Sequence, residues 1–431
     1  MVDKRLKILS VCTSETSGGA ARAAYRIHQG VRKLDVESRM FVKDKQSGDD
    51  SVTALDDFLP KGCLHRMGDW VAKKVKNQFQ HVCWNRYPNR DNVFMSDMRG
   101  TRLYGALQKQ LYDVLHLHWI NQRFIHVRDL PTDKPIVWTL HDSWPFCGVC
   151  HYFLDCEEYK RMCGNCLFLH SNRANDLSHR VWKEKEIIYQ HLDLHIVTPS
   201  QWLAQCARKS SLFGQFPVTV IPNCLDTETF RLLTDEEISP RWSELVENKS
   251  EKKYILFGAV NAVTDKIKGF SHLLDALNIL SEQRHGKDFE LIVFGADQPL
   301  EGMLESIPTH YVGYVSDVNE LVSLYNLASV TVVPSLTENL SCTIMESLSC
   351  GTPVAAFNIG GNSDMIEHQV NGYLACKNDN ADLAAGILWC MQNNADGHLS
   401  AAGREKVLAN YTPEIVARQY KEMYEEVALS N

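Results

Sequence analysis

The 431-residue sequence has no apolar run approaching the roughly 20 residues that span a bilayer. Its first residues, MVDKRLKILSVC, carry an apolar stretch too short for a signal peptide and no small-residue cleavage site. This predicts a chain that begins and stays in the cytoplasm, where thiols are kept reduced. Positive charge is not in excess: the formal net charge is -8 at pH 7, so wholesale nucleic-acid binding is not expected. There is no Asp-x-Asp, so a catalytic magnesium bridging a diphosphate is not indicated. The Gly-x-Gly-x-x-Gly pattern, internal repeats and low-complexity tracts are missing too.

What is present is an alternation. Short apolar runs such as LKILSVC (6–12), DVLHLHW (113–119), PIVWTLHD (135–142), LHIVTPS (194–200), YILFGAV (254–260), FELIVFGA (289–296), THYVGYV (309–315), VTVVPS (330–335) and TPVAAF (352–357) read as buried strands. Amphipathic segments between them read as helices. The expected class is α/β, with parallel sheets covered on both faces. Nine or more strands are many for one sheet, so two doubly wound domains are expected, with a boundary near VIPNCLDTETF (220–230). A segment at 61–80 places Leu64, Met67, Val71 and Val75 at helical spacing. Lys73, Lys74 and Lys76 share the segment, opposed only by Asp69. It reads as a helix covering a sheet or as a basic amphipathic helix on an anionic membrane face.

Two stretches carry candidate chemistry. In SETSGGAARAAYRI, a glycine pair, Gly18-Gly19, separates the first strand from a helix. There the backbone can approach a ligand, and the helix amino end favours a phosphate; a plain tight turn reads equally well. In PSLTENLSCTIMESLSCGTPVAAFNIGG (334–361), Glu338 lies in a polar loop and Glu346 in the helix after it. Ionised carboxylates make strong hydrogen bonds to sugar hydroxyls. His141, at a strand's carboxyl end, is placed for a ligand crevice or for a structural bond to backbone.

The Glu338-x7-Glu346 pattern followed by SCGTPV resembles the family 4 retaining glycosyltransferases (glycosyl transferases group 1) of the bacterial polysaccharide-biosynthesis type. GGAARAAYRIHQGV, VWTLHD, VTPSQW, VIPNCLDTETF, DKIKGFSHLLDAL and YVGYVSDVNELVSLYNLASVTVVPS are similar to the family's segments in order, over most of the chain. The resemblance implies a GT-B fold, two Rossmann-like doubly wound domains facing across a cleft. An acceptor-binding domain would span 1–225 and a nucleotide-sugar-binding domain 226–412. A last helix, 413–431, would cross back to the first domain. It implies a UDP- or GDP-sugar donor and a glycan or lipid-linked saccharide acceptor; peripheral contact with the inner face of the membrane would rest on the basic segment 61–80. It also implies roles. Gly18 and Gly19 would approach the donor diphosphate, and Lys268 would neutralise the departing phosphate. Glu338 would bind the transferred sugar beside the backbone of Asn339, Leu340 and Ser341. Glu346 would bind the ribose, Tyr314 and Val315 would contact the base, and His141 would lie at the sugar and acceptor side. Many members have an arginine where this chain has Ala259. Either Lys266 or another cation substitutes, or the phosphate is held less tightly. The rival readings are a sugar-nucleotide epimerase of the same fold and a non-catalytic nucleotide-sugar-binding protein.

Five of the fourteen cysteines fall between Cys147 and Cys166, in two C-x2-C pairs with Cys156 between them. Such pairs suit a closed, structural four-thiolate zinc site; reduced core cysteines or an oxidised pair are the alternatives. The resemblance, to a subgroup with a cysteine-rich insertion, implies Cys150, Cys156, Cys163 and Cys166 as ligands, with Cys147 left out.

Overall fold

The computed structural model describes residues 5–58, 84–91, 95–96, 98, 100–101, 103, 107–259, 262–282, 289–297 and 307–429. The basic segment 61–80 lies outside these residues. Contacts divide the chain into two compact units. One runs up to Ile221 and takes in the residues from Ala417 on; the other is Pro222–Val416.

The first unit is built on strands β1 (Lys7–Ser14), β2 (Glu37–Asp44), β3 (Val52–Ala54), β5 (Val114–Leu117), β7 (Ile136–Thr139), β8 (Leu194–Thr198) and β9 (Val218–Val220), with a small pair, β4 (Gly100–Thr101) and β6 (Arg123–Ile125), beside them. The large sheet has the order β3-β2-β1-β5-β7-β8-β9, and every pairing in it is parallel. Its central strands are buried along their whole length, which is why they read as continuous apolar runs. The edge strands β3 and β9 are short and half-exposed, and they gave no such run.

The second unit has β10 (Lys253–Gly258), β11 (Phe289–Phe294), β12 (Thr309–Gly313), β13 (Val330–Val333), β14 (Val354–Phe357) and β15 (Gly372–Ala375), in the parallel order β12-β11-β10-β13-β14-β15. Successive strand residues face opposite sides. Tyr254, Leu256, Val354 and Ala356 therefore enter one core layer, and Ile255, Phe257, Ala355 and Phe357 the other.

Each order reverses once, between β1 and β5 in the first unit and between β10 and β13 in the second. In open parallel sheets, ligands bind outside the carboxyl ends of the strands at that reversal. The loops leaving β1, β5, β7, β10 and β13 are therefore the ones to search. The last helix, Pro413–Leu429, joins the first unit through two hydroxyls. Tyr420 bonds to Thr139 at 2.9 Å and Tyr424 to Nδ1 of His116 at 2.7 Å.

Candidate functional site

In the second unit, the loop after β10 forms a 3-10 turn, Lys266–Lys268, whose start is capped by Asp265 accepting from the Ile267 amide. Gly269 follows with φ +73, and a Cβ there would lie 1.8 Å from the Pro334 carbonyl oxygen. Only glycine lets this turn press against the end of β13. The Leu336 amide donates to the Ile267 carbonyl at 2.8 Å and completes the clamp. The loops after β10 and β13 are thus tied together, and their side chains meet: Lys268 Nζ donates to Glu338 Oε1 at 2.8 Å. Ser335 Oγ donates to the same oxygen at 2.9 Å. On its far side, the Glu338 backbone rests on Gly360 (φ +52), where a Cβ would lie 1.7 Å from the Glu338 carbonyl oxygen. Both side chains are half-buried, at 29% and 14% exposure.

Glu346 lies in the helix Cys342–Ser349 and is only 6% exposed. Its Oε2 accepts from the Tyr325 hydroxyl at 3.0 Å. Burial, and then the Glu346 charge, push the Tyr325 hydroxyl well above its ordinary pKa, so it stays a donor. The sequence pairs Glu338 with Glu346 by spacing; the structure gives them different partners. Asn339 is half-buried, whereas Leu340 and Ser341 are buried, with Leu340 in the core. Tyr314 is 72% exposed just past β12, and Val315 packs partly against the core. Lys266 is exposed, and Ala259 packs against the core with its carbonyl against Gly295.

In the first unit, Gly18 and Gly19 are exposed at the amino end of the helix Gly19–Arg32, whose first turn has no side-chain cap. Their loop is anchored by Glu15, which is fully buried and accepts from the amides of Gln46 at 2.6 Å and Ser47 at 2.8 Å. His141, just past β7, is half-buried, and burial pushes its pKa down to about 4. It is a neutral ring near pH 7. Its Nε2 lies 3.0 Å from Nδ1 of His118. The adjacent Asp142 faces elsewhere. It accepts from Trp119 Nε1 at 2.8 Å, His151 Nδ1 at 2.6 Å and the Trp144 amide at 2.9 Å. Sequence reasoning missed Glu15, His116, His118, Tyr325 and Ser335. The pair His116-x-His118 at the end of a strand was a visible signal; the others are ordinary residues given meaning by their contacts.

The five clustered cysteines come together around the loop 144–166 as free thiols, four of them buried and Cys156 half-buried. Among the described residues, no three Cys, His, Asp or Glu side chains converge to hold an ion, and Cys150, Cys156, Cys163 and Cys166 are included in that statement. A buried lysine ties the loop instead. Lys185 Nζ donates to the carbonyls of Trp144, Cys147 (2.9 Å) and Gly148 (3.0 Å), and sits 3.6 Å from the Trp144 ring centroid. Burial pushes the Lys185 pKa down to about 7. Asp176 adds a second tie by accepting from the Cys166 amide at 2.8 Å. The Gly148 amide donates to the Cys163 sulfur at 3.1 Å.

Residues 17–229 match the family model described as Glycosyltransferase Family 4, and residues 252–393 match Glycosyl transferases group 1. The chain belongs to the glycosyltransferases. This glycosyltransferase is 26% identical over 377 residues to WcaC of Escherichia coli K12, named for colanic acid biosynthesis, covering 84% of this chain and 85% of that one. It is 28% identical over 181 residues to the amylovoran biosynthesis glycosyltransferase AmsK of Erwinia amylovora, covering 39% and 44%. Among solved structures, sucrose-phosphate synthase from Thermosynechococcus elongatus has TM-score 0.63 at 17% identity, covering 99% of this chain and 100% of that one. Anabaena HepE in complex with UDP and glucose has TM-score 0.61 at 16% identity, covering 98% and 100%. The glycosyltransferase thus has the GT-B fold. Among its described residues, no helix is long and apolar enough to cross a membrane.

Proposed function

We propose that this chain is a retaining hexosyltransferase. It would move a sugar from a nucleotide diphosphate sugar, UDP- or GDP-linked, to a glycan or lipid-linked saccharide in surface-polysaccharide biosynthesis. The observation that carries the proposal is the Lys268–Glu338 pair, clamped at the strand-order reversal by the contacts of Gly269 and Leu336. The names of WcaC and AmsK support the pathway class, and the HepE complex with UDP and glucose supports the donor class.

In this reading, Lys268 meets the charge that develops on the departing diphosphate, as does the open glycine-pair end of the helix Gly19–Arg32. Glu338 accepts hydrogen bonds from hydroxyls of the transferred sugar, and Glu346 from the ribose. Tyr314 and Val315 contact the base. The amides of Asn339, Leu340 and Ser341 add donors beside the sugar, and neutral His141 binds on the sugar and acceptor side. The acceptor hydroxyl attacks the anomeric carbon from the face that the diphosphate leaves. The bond from that carbon to the phosphate oxygen breaks, the new glycosidic bond forms, and the hydroxyl proton passes to the leaving phosphate oxygen. The cytoplasmic face of the membrane is where a lipid-linked acceptor would be met.

A panel of UDP- and GDP-sugars, read by thermal unfolding, tests the donor. The bound nucleotide raises the apparent melting temperature by mass action. NMR of the product then reads the anomeric configuration. An inverted product overturns retention, and epimerised donor formed without acceptor overturns transfer.

A further inference from the structure

The residue that orients His141 is not its acidic neighbour. Asp142 has its oxygens occupied by Trp119, His151 and the Trp144 amide. The ring nitrogen that His141 turns inward, Nε2, meets Nδ1 of His118 at 3.0 Å, and the two rings lie edge to edge with centroids 5.3 Å apart and 26° between planes. His118 is only 2% exposed. Its amide donates to the Val11 carbonyl at 2.9 Å, and its carbonyl accepts from Trp138 Nε1 at 3.1 Å. Its ring lies 4.0 Å, centroid to centroid, from His116. His116 is fixed at both nitrogens, by the hydroxyls of Thr139 at 2.8 Å and Tyr424 at 2.7 Å. The chain from the last helix to His141 is thus linked by hydrogen bonds at His116 and His141 and by ring contact between His116 and His118, and Nε2 of His118 is buried with no partner among the described residues.

We infer that His118 is a positioning residue that selects the tautomer of His141, so that His141 presents Nδ1–H outward as its one ligand-facing donor. The inference rests on the reading of His141 as a sugar-side or acceptor-side residue. Two neutral imidazoles sharing one hydrogen bond have one donor and one acceptor between them. An N–H is the worse group to bury without a partner, so the orphaned Nε2 of His118 is the bare nitrogen. His118 then carries its proton on Nδ1 and donates it to Nε2 of His141. The proton of His141 is left on Nδ1, for which no partner is found among the described residues. A fixed donor there meets a sugar oxygen without first changing tautomer, as partners behind ligating histidines fix theirs.

The test is the tautomer itself, read by NMR on the full-length protein labelled with 15N-histidine, without any ligand. The wild type is expected to show His141 protonated at Nδ1 and bare at Nε2. The variant His118→Ala is expected to lose that bias. His118→Asn, whose amide nitrogen reaches the place of Nδ1, should restore it. His118→Gln, whose amide reaches the place of Nε2, should not. A wild-type His141 protonated at Nε2, or an unchanged tautomer in a folded His118→Ala variant, overturns the inference. Because the wild-type spectrum alone can refute it, the inference remains testable even if a variant does not fold. The reading of His141 fails separately: full turnover by His141→Ala would remove its role in the site while leaving the tautomer result standing.

Discussion

At the scale of the residue, the site depends on how one cation and one carboxylate share a small space. Lys268 is bonded to Glu338, which holds the ammonium in place; in the proposed mechanism that ammonium meets the charge of the leaving phosphate. Lys268→Ala is expected to lower kcat by about 10²–10³, the usual cost of removing one preorganised stabiliser of developing charge. Lys268→Arg should not fully restore it, since a planar fork does not occupy the place of a compact ammonium. Initial-rate measurements with the best donor from the nucleotide panel decide both. The first unit makes a different prediction. Burial pushes His28 and His141 down to about 4 and His116 to about 3. Their unfolded value is about 6.5. Between these values the unfolded chain binds more protons than the folded one, so stability rises with pH there. Denaturant midpoints should therefore fall as pH drops from 6.5 towards 4. A flat profile between pH 6.5 and 4 would show that these rings are not buried as described.

Loops and short turns, rather than long elements, place the reactive groups. The loop after β13 is held from below by the backbone of Gly360 and from the side by Gly269. Gly360→Ala puts a methyl carbon into the Glu338 carbonyl at a φ that alanine resists, so the loop must move. The expected result is a destabilisation of about 1–3 kcal/mol with a loss of donor affinity, measured by denaturant titration and nucleotide binding. The cysteine-rich loop is held by a group that its spacing does not suggest. Two C-x2-C pairs at short spacing are a good metal pattern, because four sulfurs can reach one point. Whether they do depends on the path of the loop between them. Here the carbonyls of Trp144, Cys147 and Gly148 converge on the Lys185 ammonium, and the thiols pack as small core side chains. Lys185→Met should leave those carbonyls without their donor and destabilise the first unit by about 2–3 kcal/mol. An unchanged midpoint would mean the loop is held by something else.

For the whole molecule, the alternation of apolar runs and amphipathic segments was enough to read two parallel-sheet α/β domains, because central strands buried on both faces must be apolar at every position. Strands β2, β3, β9 and β15 escaped that reading, each having positions that are not buried, while the half-buried edge strand β12 was read as a buried strand. The last helix is bound into the first unit by Tyr420 and Tyr424, whose partners lie 281 and 308 residues away in sequence. Tyr424→Phe keeps the ring and removes the bond to His116. It should cost about 1 kcal/mol, plus whatever the unpaired His116 nitrogen adds, in a thermal or denaturant unfolding curve. No local pattern could have named those partners. The sequence alone determined the fold class and the order of its segments, since these follow from periodicity, and the family resemblance offered Lys268, Glu338 and Glu346 as site candidates. Only the tertiary structure decided that Lys268 pairs with Glu338, that Glu346 turns to Tyr325, that His118 stands behind His141 and that a lysine gathers the cysteine loop. Pairings across parallel sheets join residues far apart in the chain, and they exist only once the strands are in register.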